Sequence, residues 1–228
     1  MGADQMQIME MRHRQCVEEL YDEYADEFEG HLVSGLRYNI PDVLRQKVPQ
    51  RRYERCLDLG CGTGLAGQAF HDLCGYLEGV DLSQNMISKA EEKGIYDQLQ
   101  SRDLVAHLRR QPAASFDLLV SADVLIYVYS LEQLFREARR VLSPGGIFAF
   151  STESATEEES RVDTGFGIGV VERTSERFAH ARSFILSLVD GFEVYKLDEV
   201  PVRLDGRTAT EANPILGDVV VLRRLVEE

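Results

Sequence analysis

Long apolar runs are missing from this 228-residue chain, and so are paired cysteines, a basic face and any internal repeat. No stretch approaches the ~18–20 consecutive apolar residues that span a bilayer, and no charged-then-apolar leader opens the sequence. A cytoplasmic protein with no membrane partner is therefore expected. Cys16, Cys56, Cys61 and Cys74 form no CxxC pair and have no histidine at ligand spacing. That argues against a zinc site or a disulfide framework, so no metal is expected and the thiols are expected to be reduced. Positive charge is scarce: 25 Lys and Arg stand against 39 Asp and Glu, a net charge of −14. Proteins that grip nucleic acid need a basic surface, because phosphate neutralisation dominates their affinity. Arg51-Arg52 and Arg109-Arg110 are isolated pairs, which points to a small-molecule substrate and not to nucleic acid. The sequence offers no handle on oligomeric state.

What is present is a regular alternation of strand and helix patterns. Residues 10–32 carry Val17, Leu20, Tyr21, Tyr24 and Phe28 at helical spacing, and a second helix fits 36–48 with Pro41 early in it. Strands follow at Cys56–Leu59, Tyr76–Val80, Gln98–Arg102, Phe116–Ser121 and Ile147–Ser151. Helices are expected between them, one opening at Ser83 as N-cap and closing at Gly94. Near-continuous apolar strands alternating with helices predict an α/β fold with a mostly parallel sheet covered on both faces. After a helix at about 178–189, strands at 192–200 and Val219–Leu222 have no helix between them, which predicts an antiparallel hairpin at the sheet edge. The acidic run Glu157–Glu159 with Gly165, Gly167 and Gly169 reads as a flexible loop, and His71 and His107 as surface residues.

The most informative segment is Leu57-Asp-Leu-Gly-Cys-Gly-Thr-Gly-Leu-Ala-Gly67. A strand end runs into Gly60, Gly62 and Gly64, which lets a ligand lie against backbone N–H groups. Gly62 to Gly67 also satisfies the G-x-G-x-x-G pattern of a dinucleotide fold, with Asp81 at ribose distance. Residues beyond the turn favour another cofactor. Asp58-x-Gly60-x-Gly62-x-Gly64 followed by Gly79-Val80-Asp81-Leu82-Ser83, then Arg102-Asp103-Leu104, Phe116 to Asp123, and Leu142-Ser-Pro-Gly-Gly146, resembles the class I S-adenosylmethionine-dependent methyltransferases over about residues 20–225.

That resemblance implies a Rossmann-like, doubly wound sheet of seven strands ending in an antiparallel hairpin. It implies S-adenosyl-L-methionine as cofactor, with residues 1–50 as an N-terminal helical lid segment and 51–228 as one cofactor-binding globular unit. Asp58 would hold the methionine amino group, and Gly60, Cys61, Gly62 and Gly64 would pass beneath the cofactor. Asp81 and Leu82 would meet the ribose, and Met86, Asp103 and Leu104 the adenine, with Ser121 and the lid's Tyr24 completing the set. Tyr21-Asp22-Glu23-Tyr24-Ala25-x-x-Phe28 and Arg177-Phe178-Ala179-His180 are similar to methyltransferases found fused to tetratricopeptide repeats, here in stand-alone form. Ligands of open α/β sheets lie beyond the carboxyl ends of the strands. This places Asp123, Tyr127, Thr152 and Glu153 near the acceptor, with His180 and His31 as candidate bases. His180 has the alternative of a helix cap or a surface position. A small-molecule O- or N-methyltransferase is the expected activity; a protein methyltransferase, a silent cofactor-fold partner and a dinucleotide oxidoreductase are the alternatives.

Overall fold

Nearly continuous burial along the central strands, with successive side chains pointing to opposite faces, explains the architecture. The computed structural model describes residues 3–30, 38–128, 130–161, 168–173, 176–204 and 214–226. In β1 (Tyr53–Leu59), β4 (Phe116–Ser121), β5 (Leu142–Ser151) and β10 (Pro214–Arg224), neighbouring side chains enter opposite cores. Leu57, Leu119, Phe148, Phe150, Val220 and Leu222 join one core. Cys56, Leu118, Ile147, Ala149, Val219 and Val221 join the other. Period-two alternation puts both faces of the sheet out of water. Each fully buried Leu, Val or Phe contributes roughly 1.5–3 kcal/mol of transfer free energy.

Helices cover both faces. α2 (Ile40–Lys47) and α3 (Leu65–Phe70) bury Ile40, Leu44, Ala66 and Phe70 in the second core. α5 (Leu104–Leu108) and α6 (Leu131–Val141) close the first. In α6 the buried Leu131, Leu134, Phe135, Ala138 and Val141 form one helical stripe. α4 (Gln84–Glu92) starts where Ser83 Oγ accepts the Met86 N–H at 3.0 Å, the expected N-cap. With β2 (Cys74–Asp81), β3 (Gln98–Ser101) and β9 (Phe192–Leu204), the sheet order is β3-β2-β1-β4-β5-β10-β9. β9 and β10 pair antiparallel, and so do β10 and β5, giving the expected seven strands and closing hairpin.

Three expectations are corrected. Residues 178–189 are not one helix: β8 (Phe178–Ala181) precedes α7 (Arg182–Ser187). β8 is the centre of a second sheet, flanked by β6 (Glu153–Ala155) and β7 (Val170–Glu172). All four β8 residues are buried, so no alternation distinguishes the strand from a buried helix turn. In the acidic run Glu157 accepts the Ser183 hydroxyl at 2.9 Å and Glu159 pairs with Arg173 at 2.8 Å, while Gly165 and Gly167 of the expected flexible loop lie outside the described residues. His107 is a core residue, 1% exposed, with Nε2 3.0 Å from the equally buried Glu78 of β2. α1 begins earlier than expected and ends sooner, at Ala3–Tyr24. Among the described residues no helix is long and apolar enough to cross a membrane.

Candidate active site

Where β1 ends, the backbone turns through left-handed conformations at Gly60 (φ +74°) and Gly62 (φ +51°), which a side chain would strain. The Gly60 and Cys61 N–H groups donate to the Val80 carbonyl at 2.8 and 3.0 Å, locking the turn to β2. Gly62 N–H reaches Asp81 Oδ2 at 2.9 Å, and Ser83 N–H reaches Oδ1 at 3.0 Å. Asp81 Oδ2 and Oδ1 thus each accept one of these bonds, and the Leu82 N–H also favours the carboxylate. Burial raises the Asp81 pKa above the usual carboxylate range, while those N–H groups hold it down.

The five neighbouring glycines serve two purposes. A Cβ at Gly60 would clash with Val124, and one at Gly62 would face the Phe28 ring at 3.8 Å, on the side of the open space. Gly64, Gly67 and Gly79 instead surround Tyr96. Its hydroxyl donates to Asp58 Oδ2 at 2.6 Å, and Asp58 Oδ1 has no partner among the described residues. Asp58 is 2% exposed, and burial lifts its pKa to about 7 against the opposing Tyr96 bond.

A cavity of about 390 Å³ opens beyond the turn, within the usual range for small-molecule sites. Gly60, Gly62, Asp81 and Leu82 form one wall, and Asp103, Leu104 and Val105 another. Asp103 caps α5 by accepting the Ala106 N–H at 2.8 Å and pairs with Arg14 of α1 at 3.2 Å. α1 forms the roof with Val17, Leu20, Tyr21 and Tyr24, followed by Phe28. Tyr21 packs edge-on to Tyr127 with ring centroids 5.4 Å apart, and Tyr24 to Phe28 at 5.5 Å. Asp22 ties the end of α1 to α4, accepting the Ser83 hydroxyl at 2.5 Å and the Asn85 N–H at 3.2 Å. Glu29 ties the next turn to the glycine loop through Thr63 at 2.6 Å and Lys93 at 2.6 Å.

Asp123 occupies the far end, past β4, at φ +60°. A non-glycine residue held there stores strain, a frequent mark of a functional position. Its N–H donates to Ser151 Oγ at 2.8 Å, and its Oδ2 lies 3.4 Å from Arg203 Nη1. Oδ1 is buried without a partner, and burial raises the carboxyl pKa. Arg203 also grips Glu153, whose other oxygen lies 3.5 Å from Arg173. Tyr127, Tyr38, Arg177 and Arg203 line this end of the cavity.

Of the cofactor candidates, Tyr24, Gly60, Gly62, Asp81, Leu82, Asp103 and Leu104 line the cavity, while Asp58, Cys61, Gly64, Met86 and Ser121 stand behind it. Met86 is buried at the start of α4, and Ser121 donates to the Leu59 carbonyl at 3.0 Å. Of the catalytic candidates among the described residues, only Tyr127 faces the cavity. Glu153 is held by arginines behind it, and His31 lies outside the described residues. His180 sits in β8, stacked on Phe184 at 6.0 Å, with Nδ1 unpartnered. Burial lowers its pKa to about 4, so the ring is neutral near pH 7. Sequence reasoning missed His13, which lines the cavity with Nε2 3.1 Å from the Tyr127 carbonyl, and also Tyr38, Arg203 and, behind the turn, Tyr96.

The buried His180 carries a stability prediction. The unfolded ring takes a proton near pH 6.5 and the folded ring only near 4, so unfolding binds the proton between those values. Stability is full above about pH 6.5 and falls by roughly 3 kcal/mol as pH drops toward 4. His180→Phe should flatten that part of the urea-midpoint profile; an unchanged acid slope would reject the assignment.

Comparison with known proteins gives this geometry a context. Residues 57–150 match the family model described as a methyltransferase domain. The S-adenosylmethionine dependent methyltransferase of Mesorhizobium loti has 26% identity and a TM-score of 0.58, covering 80% of this chain and 96% of that one. Over this stretch the chain is similar to S-adenosylmethionine-dependent methyltransferases. Around that domain, the [4+2]-cyclase SpnF shares the fold at a TM-score of 0.74 and 17% identity, over 94% of this chain and 97% of that one. Malonyl-[acyl-carrier protein] O-methyltransferase of Enterobacter lignolyticus (strain SCF1) is 30% identical over 142 residues, 62% of this chain and 55% of that protein. The chain thus spans about half that relative's length.

Proposed function

We propose that this protein transfers a methyl group from S-adenosyl-L-methionine to an oxygen or nitrogen of a small molecule. The observation that carries the reading is one continuous cavity with the Gly60–Gly62 turn and Asp81 at one end and Asp123 and Tyr127 at the other. Residues at the first end suit the cofactor. The Asp81 carboxylate at the cavity wall would accept from the ribose hydroxyls, and Leu82 and Leu104 would offer apolar walls to adenine beside the Asp103 carboxylate. Asp58, turned to Tyr96, would act on the methionine amino group from beneath the turn. The bound cofactor supplies an activated methyl group on a sulfonium, so no protein nucleophile is required.

What the chain must do is orient, exclude water and take up a proton. The α1 roof and the Tyr21–Tyr127 contact shield the middle of the cavity. Asp123, with Oδ1 unpartnered and its pKa raised by burial, is placed to receive the acceptor's proton. Tyr127 would orient the acceptor beside it, and Glu153 would act through Arg203. A buried neutral His180 sits behind this end and would contribute shape. The roofed cavity supports a small acceptor over a folded protein.

Calorimetric titration with S-adenosylhomocysteine and with NAD tests the cofactor, and binding of NAD alone would refute the reading. A screen with labelled methyl donor then identifies the acceptor. Against that acceptor Asp123→Asn should lower kcat by about 10²-fold with little change in cofactor affinity, the usual scale of one general base. An unchanged kcat would remove Asp123 from the chemistry.

A further inference from the structure

Three glycines of this domain stand around a tyrosine and away from the cavity. A Cβ on Gly64 would lie 3.1 Å from the Tyr96 ring, one on Gly79 2.9 Å from it, and one on Gly67 would overlap its hydroxyl. Tyr96 enters from the loop between α4 and β3 and delivers that hydroxyl to Asp58 Oδ2 at 2.6 Å. The remaining oxygen of Asp58 is buried and unpartnered two residues before Gly60. From these contacts we infer that Tyr96 is a positioning residue for the cofactor, holding Asp58 beneath the glycine turn so that its free oxygen acts on a cationic amino group bound above. The inference rests on the cofactor reading given above.

The charged and titratable groups around Asp58 set the consequence. Asp81 faces it from β2, Cys61 from the turn and Tyr38 from the segment before α2, while Tyr96 supplies the hydroxyl. β4 meets β1 here with the apolar Leu118 and Val120, and no cation among the described residues is an influence on Asp58. Burial brings its titration to about pH 7, and the Tyr96 bond keeps it from going higher. An amino group on the ligand favours the carboxylate form, so ligand affinity should fall as pH drops through this range. Loss of the Tyr96 hydroxyl raises the titration further and moves that fall to higher pH.

The test is calorimetric titration with S-adenosylhomocysteine from about pH 6 to about 9 on the full chain, for the natural protein, Tyr96→Phe and Asp58→Asn. Tyr96→Phe should weaken binding about tenfold near pH 7, the scale of one hydrogen bond to a charged group, and move the midpoint of the pH profile upward. Asp58→Asn, which keeps the Tyr96 ring in its pocket, should bind weakly with a flat profile. If Tyr96→Phe melts early, Asp58→Asn alone decides. Natural protein that binds but shows no pH dependence, or a Tyr96→Phe loss with an unmoved midpoint, would overturn the positioning role and leave the cofactor intact. Failure of the natural protein to bind S-adenosylhomocysteine at any pH would instead overturn the cofactor reading itself.

Discussion

Arg203→Met is expected to destabilise the protein by about 3–5 kcal/mol, the cost of stranding buried charge when one partner of a buried pair is removed. The Arg203 side chain is 4% exposed, and its guanidinium lies between Asp123 at 3.4 Å and Glu153. Arg173 still approaches Glu153 at 3.5 Å, so the uncompensated charge falls mainly on Asp123. Two responses follow: the fold loses stability, and the Asp123 carboxyl titrates higher, because the Arg203 charge is the largest influence holding it down. Urea denaturation at neutral pH measures the first. Adding Glu153→Gln to Arg203→Met should recover part of the loss, since the second charge then needs no partner. A single-variant loss under about 1 kcal/mol would show that water reaches this cluster and screens it. Arg203→Lys separates charge from shape, because a lysine cannot serve two carboxylates with one planar fork.

This cluster also shows why only part of the site could be read in advance. The turn from Asp58 to Gly64 and the acid at Asp81 are constrained by backbone geometry over a few residues. Glycine at positive φ and an acid beside two N–H groups leave a mark in local sequence. Arg203 and Asp123 are 80 positions apart and meet only because β9 folds back along β10. His107 and Glu78 meet the same way, through a helix docking on β2, and no spacing announces that pair. The second sheet escaped notice because Phe178–Ala181 is covered on both faces and carries no period. Gly67 misled in another manner. It completes a dinucleotide-like pattern in sequence, yet in space it makes room for Tyr96. Glycine spacing therefore located the turn, while in space Gly60 and Gly62 line the cavity and Gly64 and Gly67 lie against Tyr96.

Asp81→Ala should separate binding from folding more sharply than any other change at the site. Its carboxylate accepts the Gly62 and Ser83 N–H groups, and burial makes the charged form costly in the absence of ligand. Removing it loses two charge-assisted bonds but also relieves a buried charge, and these terms oppose each other in the folded protein. No such compensation exists for the ligand. Both ribose hydroxyls would lose a charged acceptor, and Gly62 would lose the bond that fixes its N–H at the cavity wall. A loss of about 2–4 kcal/mol in S-adenosylhomocysteine affinity follows, roughly 30- to 1,000-fold, with a smaller change in unfolding free energy. Parallel calorimetric titration and urea denaturation compare the two directly. Equal losses in both would mean that Asp81 serves the turn and not the ligand, and unchanged affinity would place the ribose elsewhere. The raised pKa adds a signed check. Affinity conferred by the Asp81 carboxylate is lost as pH falls through its raised folded pKa, and the Asp81→Ala protein should show no such acid loss beyond that of Asp58.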